Sequence, residues 1–237
     1  KPRRIGTLVP SSSPPEQFFT VPRLEKRTVT KSVARLIRAD TMMKVMVEIR
    51  IHGRGGQGVV TASDLVAMAA FAEGRHAQAF PSFGSERTGA PVVAYCRVRE
   101  EEIRTREPVL EPDLLIVQDP TLLGIIDVFS GLNPQGYVLI NSSKRSAELG
   151  LTERQESMPK GHFMTIPAAD IARKHTGRTV PNAVLLGAAA ALTGLYKMES
   201  VTHAIMERFP GKVGEMNVAA AQEAYELVNS KREALHA

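Results

Sequence analysis

The stretch VMVEIRIHGRGGQGVVTASDLVAMAAFAEG, Val45 to Gly74, decides the fold of this chain. Its beginning is rich in β-branched residues and reaches Gly53, which is typical of a buried strand. Four glycines fall within the six positions that start there. From Gly58 onward, apolar residues recur with helical spacing until Gly74. The stretch therefore predicts a strand, a glycine-rich turn and a helix in direct succession.

The rest of the chain repeats this alternation of strands and helices. Further strands are predicted at HAQAF, APVVAYCRVR, PDLLIVQD, GYVLINSS and HFMTIPA. Further helices are predicted at PTLLGIIDVFSGL, AADIARKHTG, NAVLLGAAAALTGLY, ESVTHAIMERFP and MNVAAAQEAYELVNSKREAL. Because the strands are apolar on both faces, we predict an α/β, Rossmann-like three-layer domain with a largely parallel sheet over residues 44–237. Function is expected at the carboxyl ends of its strands, in residues 52–58, 80–89, 118–120 and 141–144.

Residues 1–43 differ from this body in composition. They are rich in Pro and Ser and carry a net charge of +6, whereas the remainder carries −1. The sequence pI of 9.5 therefore comes from this arm, and the neutral body does not favour nucleic-acid binding. A Pro-rich, charged arm is usually ordered only when another surface holds it. We expect the extended N-terminal arm to lie across a partner subunit.

Other bulk features exclude several classes of site. No apolar run is long enough to span a bilayer, and the arm has no apolar signal-peptide core, so we expect a cytoplasmic protein. A single cysteine, Cys96, excludes an internal disulfide, a Cys-ligated iron–sulfur cluster and a Cys-rich zinc site. The six histidines lack metal-ligand spacing. No metal site is expected in this chain.

The glycine turn admits two interpretations. Gly53, Gly55 and Gly58 fit the G-x-G-x-x-G pattern, and the turn follows a strand and opens a helix, as in dinucleotide-binding folds. Such folds also place an acidic residue at the end of the second strand, for the ribose. The corresponding AFPSFG contains none. A tight strand–helix turn without a ligand and a stand-alone NAD-binding dehydrogenase both remain open on this pattern.

A second polar loop lies within FPSFGSERTGAPVVAY, Phe80 to Tyr95. It places Ser85, Glu86, Arg87 and Thr88 together between two short elements. No His or Cys stands nearby to activate a serine, so we expect no catalytic nucleophile. A charged pair between glycines suits docking onto another surface, where an Arg can bind a phosphate or carboxylate with two hydrogen bonds.

The combination of these segments resembles a known family. MVEIRIHGRGGQGVVTAS is followed by QAFPSFGSERTGAPVVAYCRV, EPDLLIVQDPTLL and VPNAVLLGAAAALTG. In this order they resemble the gamma subunit of the 2-oxoacid:acceptor oxidoreductases, the family of pyruvate:ferredoxin oxidoreductase. The resemblance covers about Lys44 to Leu227. The residues 1–43 precede the usual start of such chains, and Thr88 stands where a second Arg or a Gly is common.

The resemblance implies a role within a multi-subunit enzyme. Such enzymes decarboxylate a 2-oxoacid on thiamine diphosphate with Mg, pass electrons through iron–sulfur clusters to ferredoxin, and transfer the acyl group to coenzyme A. It implies that this chain binds none of these redox cofactors, is not catalytic alone, and packs on thiamine-binding alpha and beta subunits beside a ferredoxin-like subunit. The 2-oxoacid and the final acceptor, ferredoxin or NAD, stay open.

The same resemblance implies which residues face the thiamine and coenzyme A sites. These residues belong to the two polar loops described above. They are candidates for an interface or for the approach of coenzyme A. The candidates are Gly53, Arg54, Gly55, Gly56, Gln57, Gly58, Ser85, Glu86, Arg87 and Thr88.

Overall fold

A single six-stranded sheet organises the fold. The computed structural model describes residues 46–82 and 88–236; the predicted arm and the candidates Ser85, Glu86 and Arg87 lie outside these residues. The strand order is β2-β3-β1-β4-β5-β6. The strands are β1 (Met46–Arg54), β2 (His76–Pro81), β3 (Pro91–Arg99), β4 (Leu114–Val117), β5 (Tyr137–Asn141) and β6 (Phe163–Ile166).

The sheet is largely parallel, as predicted, with one reversed strand. Residues 49–52 of β1 pair in parallel with residues 114–117 of β4, and β5 and β6 continue the parallel order. β3 runs antiparallel between β1 and β2. Nine residues of sequence separate β2 from β3, and a connection of that length suits antiparallel neighbours because parallel ones need a long crossover.

Six α-helices occur in the described part of the chain. None of them is both long enough and apolar enough to cross a membrane. The helices are α1 (Val59–Ala72), α2 (Thr152–Glu156), α3 (Ala168–Thr176), α4 (Asn182–Thr193), α5 (Met198–Arg208) and α6 (Lys212–His236).

The longer helices bury one face of the sheet. The core there joins the inward side chains of β1, β3 and β4 to small residues of α1, α4 and α6. In α4, residues 182–192 are all buried, so the helix predicted at this Ala-rich segment is a close-packed core helix. Small side chains let the helices approach closely: a Cβ on Gly187 would lie 2.2 Å from the carbonyl oxygen of Ala221 in α6.

The other face has a thinner cover. Leu115, Val117, Val138 and Ile140 pack there against turns rather than long helices. The helix predicted from Pro120 to Leu132 is wrong, because only a 3₁₀ turn forms, over Pro120–Gly124. The carboxylate of Asp127 accepts a hydrogen bond from the N–H of Phe129 at 3.1 Å, and this local turn competes with helix continuation.

Candidate functional site at the carboxyl edge of the sheet

A cleft of about 320 Å³ opens where the parallel strands end. After β1 the chain goes to β2 and β3 on one side, then crosses to β4 on the other side of β1. In open α/β sheets, ligands bind at such a topological switch point. The lining residues are Gly56, Gln57, Gln118, Asp119, Pro120, Asn141, Ala169, Thr179, Val180 and Pro181.

The glycines of the turn allow two close approaches and one left-handed backbone conformation. A Cβ on Gly53 would lie 2.6 Å from Cγ2 of Val59 at the start of α1. Gly58 caps α1 with φ 74°, a left-handed conformation that favours glycine. A Cβ there would lie 2.6 Å from Nδ2 of Asn182. Close packing of Gly53 against α1 and of Gly58 against Asn182 is therefore enough to explain why both positions need glycine.

Each of the three guanidinium nitrogens of Arg54 contacts a neighbouring group. Its Nε lies 3.0 Å from Oδ2 of Asp119, its Nη2 donates to Oγ1 of Thr121 at 2.7 Å, and its Nη1 donates to the carbonyl oxygen of Gly89 at 2.9 Å. Gln57 also donates to Oδ2 of Asp119, at 2.8 Å. Arg54 therefore ties the glycine turn to the segments that carry Asp119 and Gly89.

Asp119 is the acceptor at the centre of this network. Burial alone raises the pKa of its carboxyl. Hydrogen bonds from Thr121 and Gln57, together with the charge of Arg54, outweigh burial, so that the pKa lies below its ordinary 3.8. Asp119 therefore stays ionised near neutral pH and keeps Arg54 and Gln57 in place.

The two predicted loops meet at this edge. The N–H of Gly55 donates to the carbonyl oxygen of Ala90 at 2.9 Å, and the N–H of Gly89 donates to that of Gly55 at 3.0 Å. Thr88 approaches Gly56, because a Cβ on that glycine would lie 3.8 Å from its Cγ2. The structure thus brings Gly53–Gly58 together with Thr88.

A second network passes through three amides, of which the sequence indicated Gln118 and Asn141 only as strand ends and did not indicate Asn182. Nε2 of Gln118 donates to Oδ1 of Asn182 at 2.9 Å, and Nδ2 of Asn182 donates to the carbonyl oxygen of Gly58 at 3.0 Å. Asn141 donates to the carbonyl oxygen of Gln118 at 2.8 Å. The only signal for Asp119 and Gln118 was their position after an apolar strand, and Asn182 was the first residue of a predicted helix.

The sheet order argues against a dinucleotide site. In dinucleotide-binding folds, the strand that ends in the ribose-binding acid neighbours the glycine-turn strand. Here β3 separates β1 from β2, which moves the end of β2 two strand spacings, about 10 Å, from β1. The stand-alone NAD-binding alternative is therefore not favoured by this geometry. Among residues 46–82 and 88–236, no three His, Cys, Asp or Glu side chains gather as metal ligands.

His52 lies buried beneath the turn. It is 6% exposed, and neither ring nitrogen has a hydrogen-bond partner among the described residues. Burial, with a smaller contribution from the charge of Arg50, lowers the pKa of His52 from 6.5 to about 4. The imidazole is therefore neutral in the folded protein at neutral pH.

Acidification should consequently lower the free energy of unfolding through His52. The unfolded chain binds a proton at His52 below about pH 6.5, whereas the folded chain binds it only near pH 4, so stability falls between these values. Between pH 7 and pH 4.5, we expect the wild type to lose about 2 kcal/mol more unfolding free energy than His52→Leu. Urea denaturation at each pH measures this difference. The control His76→Gln changes an exposed position and should lose as much unfolding free energy on acidification as the wild type. An equal loss in His52→Leu would contradict the prediction.

Comparisons with known proteins identify the class of this α/β chain. The sequence profile of the pyruvate ferredoxin/flavodoxin oxidoreductase family matches residues 48–227, and the chain belongs to that family. The resemblance to its gamma subunits is confirmed by sequence relatives. The pyruvate/ketoisovalerate oxidoreductases common subunit gamma of Pyrococcus furiosus is 46% identical over 181 residues, which cover 76% of this chain and 96% of that protein.

Two further relatives support the assignment of the chain to the gamma subunits. Pyruvate synthase subunit PorC of Methanothermobacter marburgensis is also 46% identical over 181 residues, covering 76% of this chain and 97% of that protein. The crystal structure of pyruvate oxidoreductase subunit PORC from Thermotoga maritima has a TM-score of 0.64 at 34% identity, covering 77% and 97% of the two chains. The chain is a gamma-type subunit of this oxidoreductase family.

Proposed function

We propose that this chain serves in a complex that oxidatively decarboxylates a 2-oxoacid to an acyl-coenzyme A and passes the electrons to ferredoxin or, through a further subunit, to NAD. Its partners are thiamine-binding alpha and beta subunits and a ferredoxin-like subunit. Family membership supports the reaction class, because the matched segment spans residues 48–227. Residues 44–237 form the functional domain, and residues 1–43 lie against a partner. The complex works in the cytoplasm.

The redox cofactors belong to the partner subunits in this proposal. Thiamine diphosphate with Mg supplies the decarboxylation chemistry, and iron–sulfur clusters carry the electrons. A cluster needs several thiolate ligands, and the chain has only Cys96. That residue is fully buried, and burial raises the pKa of its thiol. The residues of this chain do not fit a cluster.

The function of this chain is to shape the surface beside the thiamine and coenzyme A sites. The observation that carries this proposal is the hydrogen-bonded edge formed by the glycine turn and the Thr88–Ala90 segment, which Arg54 and the backbone bonds of Gly55 hold together. A preorganised edge excludes water and orients a partner or substrate without further ordering cost. No residue of this chain takes part in a covalent step. The candidates for this surface are Gly53, Arg54, Gly55, Gly56, Gln57, Gly58, Ser85, Glu86, Arg87 and Thr88.

The assembled complex tests this role through Arg87. An interfacial Arg that binds a carboxylate or phosphate with two hydrogen bonds leaves its partner charge unpaired when truncated. We expect Arg87→Ala to reduce subunit association or 2-oxoacid-dependent dye reduction about tenfold or more. The complex is purified anaerobically, and its subunit masses, iron–sulfur absorbance and turnover are recorded.

The matched control is Arg173→Ala. Arg173 is exposed, and among the residues that the structure describes its side chain pairs only with Asp170, at 3.7 Å on the surface of α3. Such pairs contribute little. Equal effects of the two substitutions would contradict the interface role. Purification of the chain without larger subunits or iron–sulfur absorbance would contradict the proposed function itself.

A further inference from the structure

The two edges of the sheet are protected differently. β6 forms one edge and β2 forms the other. On β6, the outward carbonyl oxygen of Thr165 accepts a hydrogen bond from Nζ of Lys231 at 2.9 Å, so a side chain of α6 occupies that edge. Among the residues that the structure describes, no side chain donates to the backbone of β2 in this way. An open edge strand is a template for pairing with another chain.

The outward backbone groups of β2 belong to Ala77, Ala79 and Pro81. Directly after β2, Ser82 donates its N–H to the carbonyl oxygen of Val93 in β3 at 2.8 Å. Hydrogen-bonded positions alternate along an antiparallel pair, so the even-numbered residues of β2 bond to β3 and the odd-numbered ones face away. Because proline has no N–H, the outward donors are those of Ala77 and Ala79.

The composition of β2 does not repel a second strand. Its sequence HAQAFP contains no Lys, Arg, Asp or Glu, although charged side chains are a common protection of sheet edges. Ala77 and Ala79 are also small, so another strand can approach without steric hindrance. Pro81 limits such pairing to the earlier part of β2.

An apolar groove of about 260 Å³ adjoins this edge. Its lining residues are Ala67, Met68, Phe71, Ala72, Ala77, His203 and Glu207. Phe71 is 72% exposed, and burying such a side chain against a partner is favourable. Ala77 belongs to both the groove and the open edge. A chain that pairs with β2 would therefore also reach Phe71.

The open edge is complementary to itself. Two copies of β2 can pair antiparallel about a two-fold axis at Gln78, which sets Ala77 of each copy opposite Ala79 of the other. These residues then exchange N–H and C=O groups, so every outward donor is bonded and Pro81 stays outside the pairing. Gln78 lies opposite its own copy, and two amides can exchange hydrogen bonds there. An unrelated strand would match these positions only by chance, whereas a second copy matches them by symmetry.

We propose that two copies of this chain associate through β2, so that their sheets join into one continuous sheet. Because the paired strands run antiparallel, Phe71 near the end of α1 faces the Ala67 and Met68 part of the second copy's groove. Each copy thus completes the groove of the other, and the open edges are closed. In an assembled enzyme, this pairing would join two complexes through their gamma subunits. The inference concerns the chain itself and does not depend on the proposed function.

The first test is disulfide cross-linking of the full chain. The proposed axis brings the Cβ atoms of Gln78 and its copy to about 4.5–5.5 Å, close to the separation that a disulfide spans. We expect Gln78→Cys to form a cross-linked dimer under mild oxidation. His76→Cys is the matched control, because its copy lies four residues further along the pairing, about 13 Å away. Cys96 is fully buried in both variants.

The second test is sedimentation equilibrium over a concentration series. At high concentration the wild type should approach twice its mass of 25.8 kDa. Ala79→Pro removes an outward donor and spares the bonds to β3, so it should weaken the dimer about tenfold or more. If this variant does not fold, Phe71→Lys should weaken the dimer to a similar extent. Val213→Lys is its control, because Val213 on α6 is also exposed, at 51%.

Several outcomes would overturn the inference. They are a monomeric wild type at every concentration, no cross-link in Gln78→Cys, equal cross-linking in His76→Cys, and a dimer that neither Ala79→Pro nor Phe71→Lys weakens. A cross-link from Gln78→Cys to a different subunit of the complex would also overturn it, because the edge would then belong to that subunit. Assembly and turnover of the complex, which judge the proposed function, are measured separately.

Discussion

Gly187→Ala should lower the free energy of unfolding by about 3 kcal/mol, although alanine in an ordinary helix interior is about 1 kcal/mol better than glycine. The added Cβ would lie 2.2 Å from the carbonyl oxygen of Ala221 and 2.8 Å from its carbonyl carbon. Both atoms belong to the backbone of α6 and cannot rotate away. The helices α4 and α6 would have to separate, which loosens the packing of the buried residues 182–192.

Urea denaturation followed by circular dichroism measures this loss. Gly124→Ala is the matched control, because a Cβ there meets no atom within 4 Å and its φ is not positive. We expect this control to stay within about 0.5 kcal/mol of the wild type. Stability of Gly187→Ala within the same range would show that the two helices do not approach as closely as described.

Gly58→Ala should cost about 3 kcal/mol for two separate reasons. The first is its φ of 74°, which costs a residue with a Cβ about 1–2 kcal/mol. The second is the approach of Nδ2 of Asn182 to 2.6 Å from the new Cβ. Asn182 cannot withdraw without breaking its bonds to Gly58 and Gln118, so the amide network of the cleft is lost with it.

Gly74→Ala separates these two contributions. Gly74 has a φ of 79°, and a Cβ there meets nothing within 4 Å. This substitution should therefore show the conformational cost alone, about 1–2 kcal/mol. The excess loss in Gly58→Ala, measured by the same urea denaturation, reports the close packing of Asn182. Equal losses would mean that Gly58 is required only for its backbone conformation.

Periodicity in the sequence was sufficient to predict the fold class. Wholly apolar strands such as LLIV in β4 alternate with helical segments, and this pattern has few solutions other than a covered parallel sheet. The reversal of β3 could not be predicted in the same way, because a buried strand carries the same pattern in either direction. The helix expected after Pro120 was wrong because Asp127 forms a local turn, which competes with the apolar spacing.

The candidate site was predictable in its location and less so in its residues. The glycine turn and the strand ends were identified because glycines and polar residues interrupt apolar runs there. The network of Arg54 with Asp119, and the bond of Gln118 to Asn182, join positions more than sixty residues apart. Such pairs carry no signal in a single sequence, since only the three-dimensional fold brings them together. The family was recognised from motif combinations rather than from this geometry.

The position of β1 in the sheet also affects the order of events during biosynthesis. This strand is made first among the described strands, yet its two neighbours are β3 and β4, whose residues begin only at Pro91 and Leu114. At a translation rate of about 5–20 residues per second, β1 waits for seconds before its first hydrogen-bonding partner leaves the ribosome. The strand at the centre of the finished sheet is thus the one whose nascent form waits longest for a partner, exposed to chaperones and to aggregation.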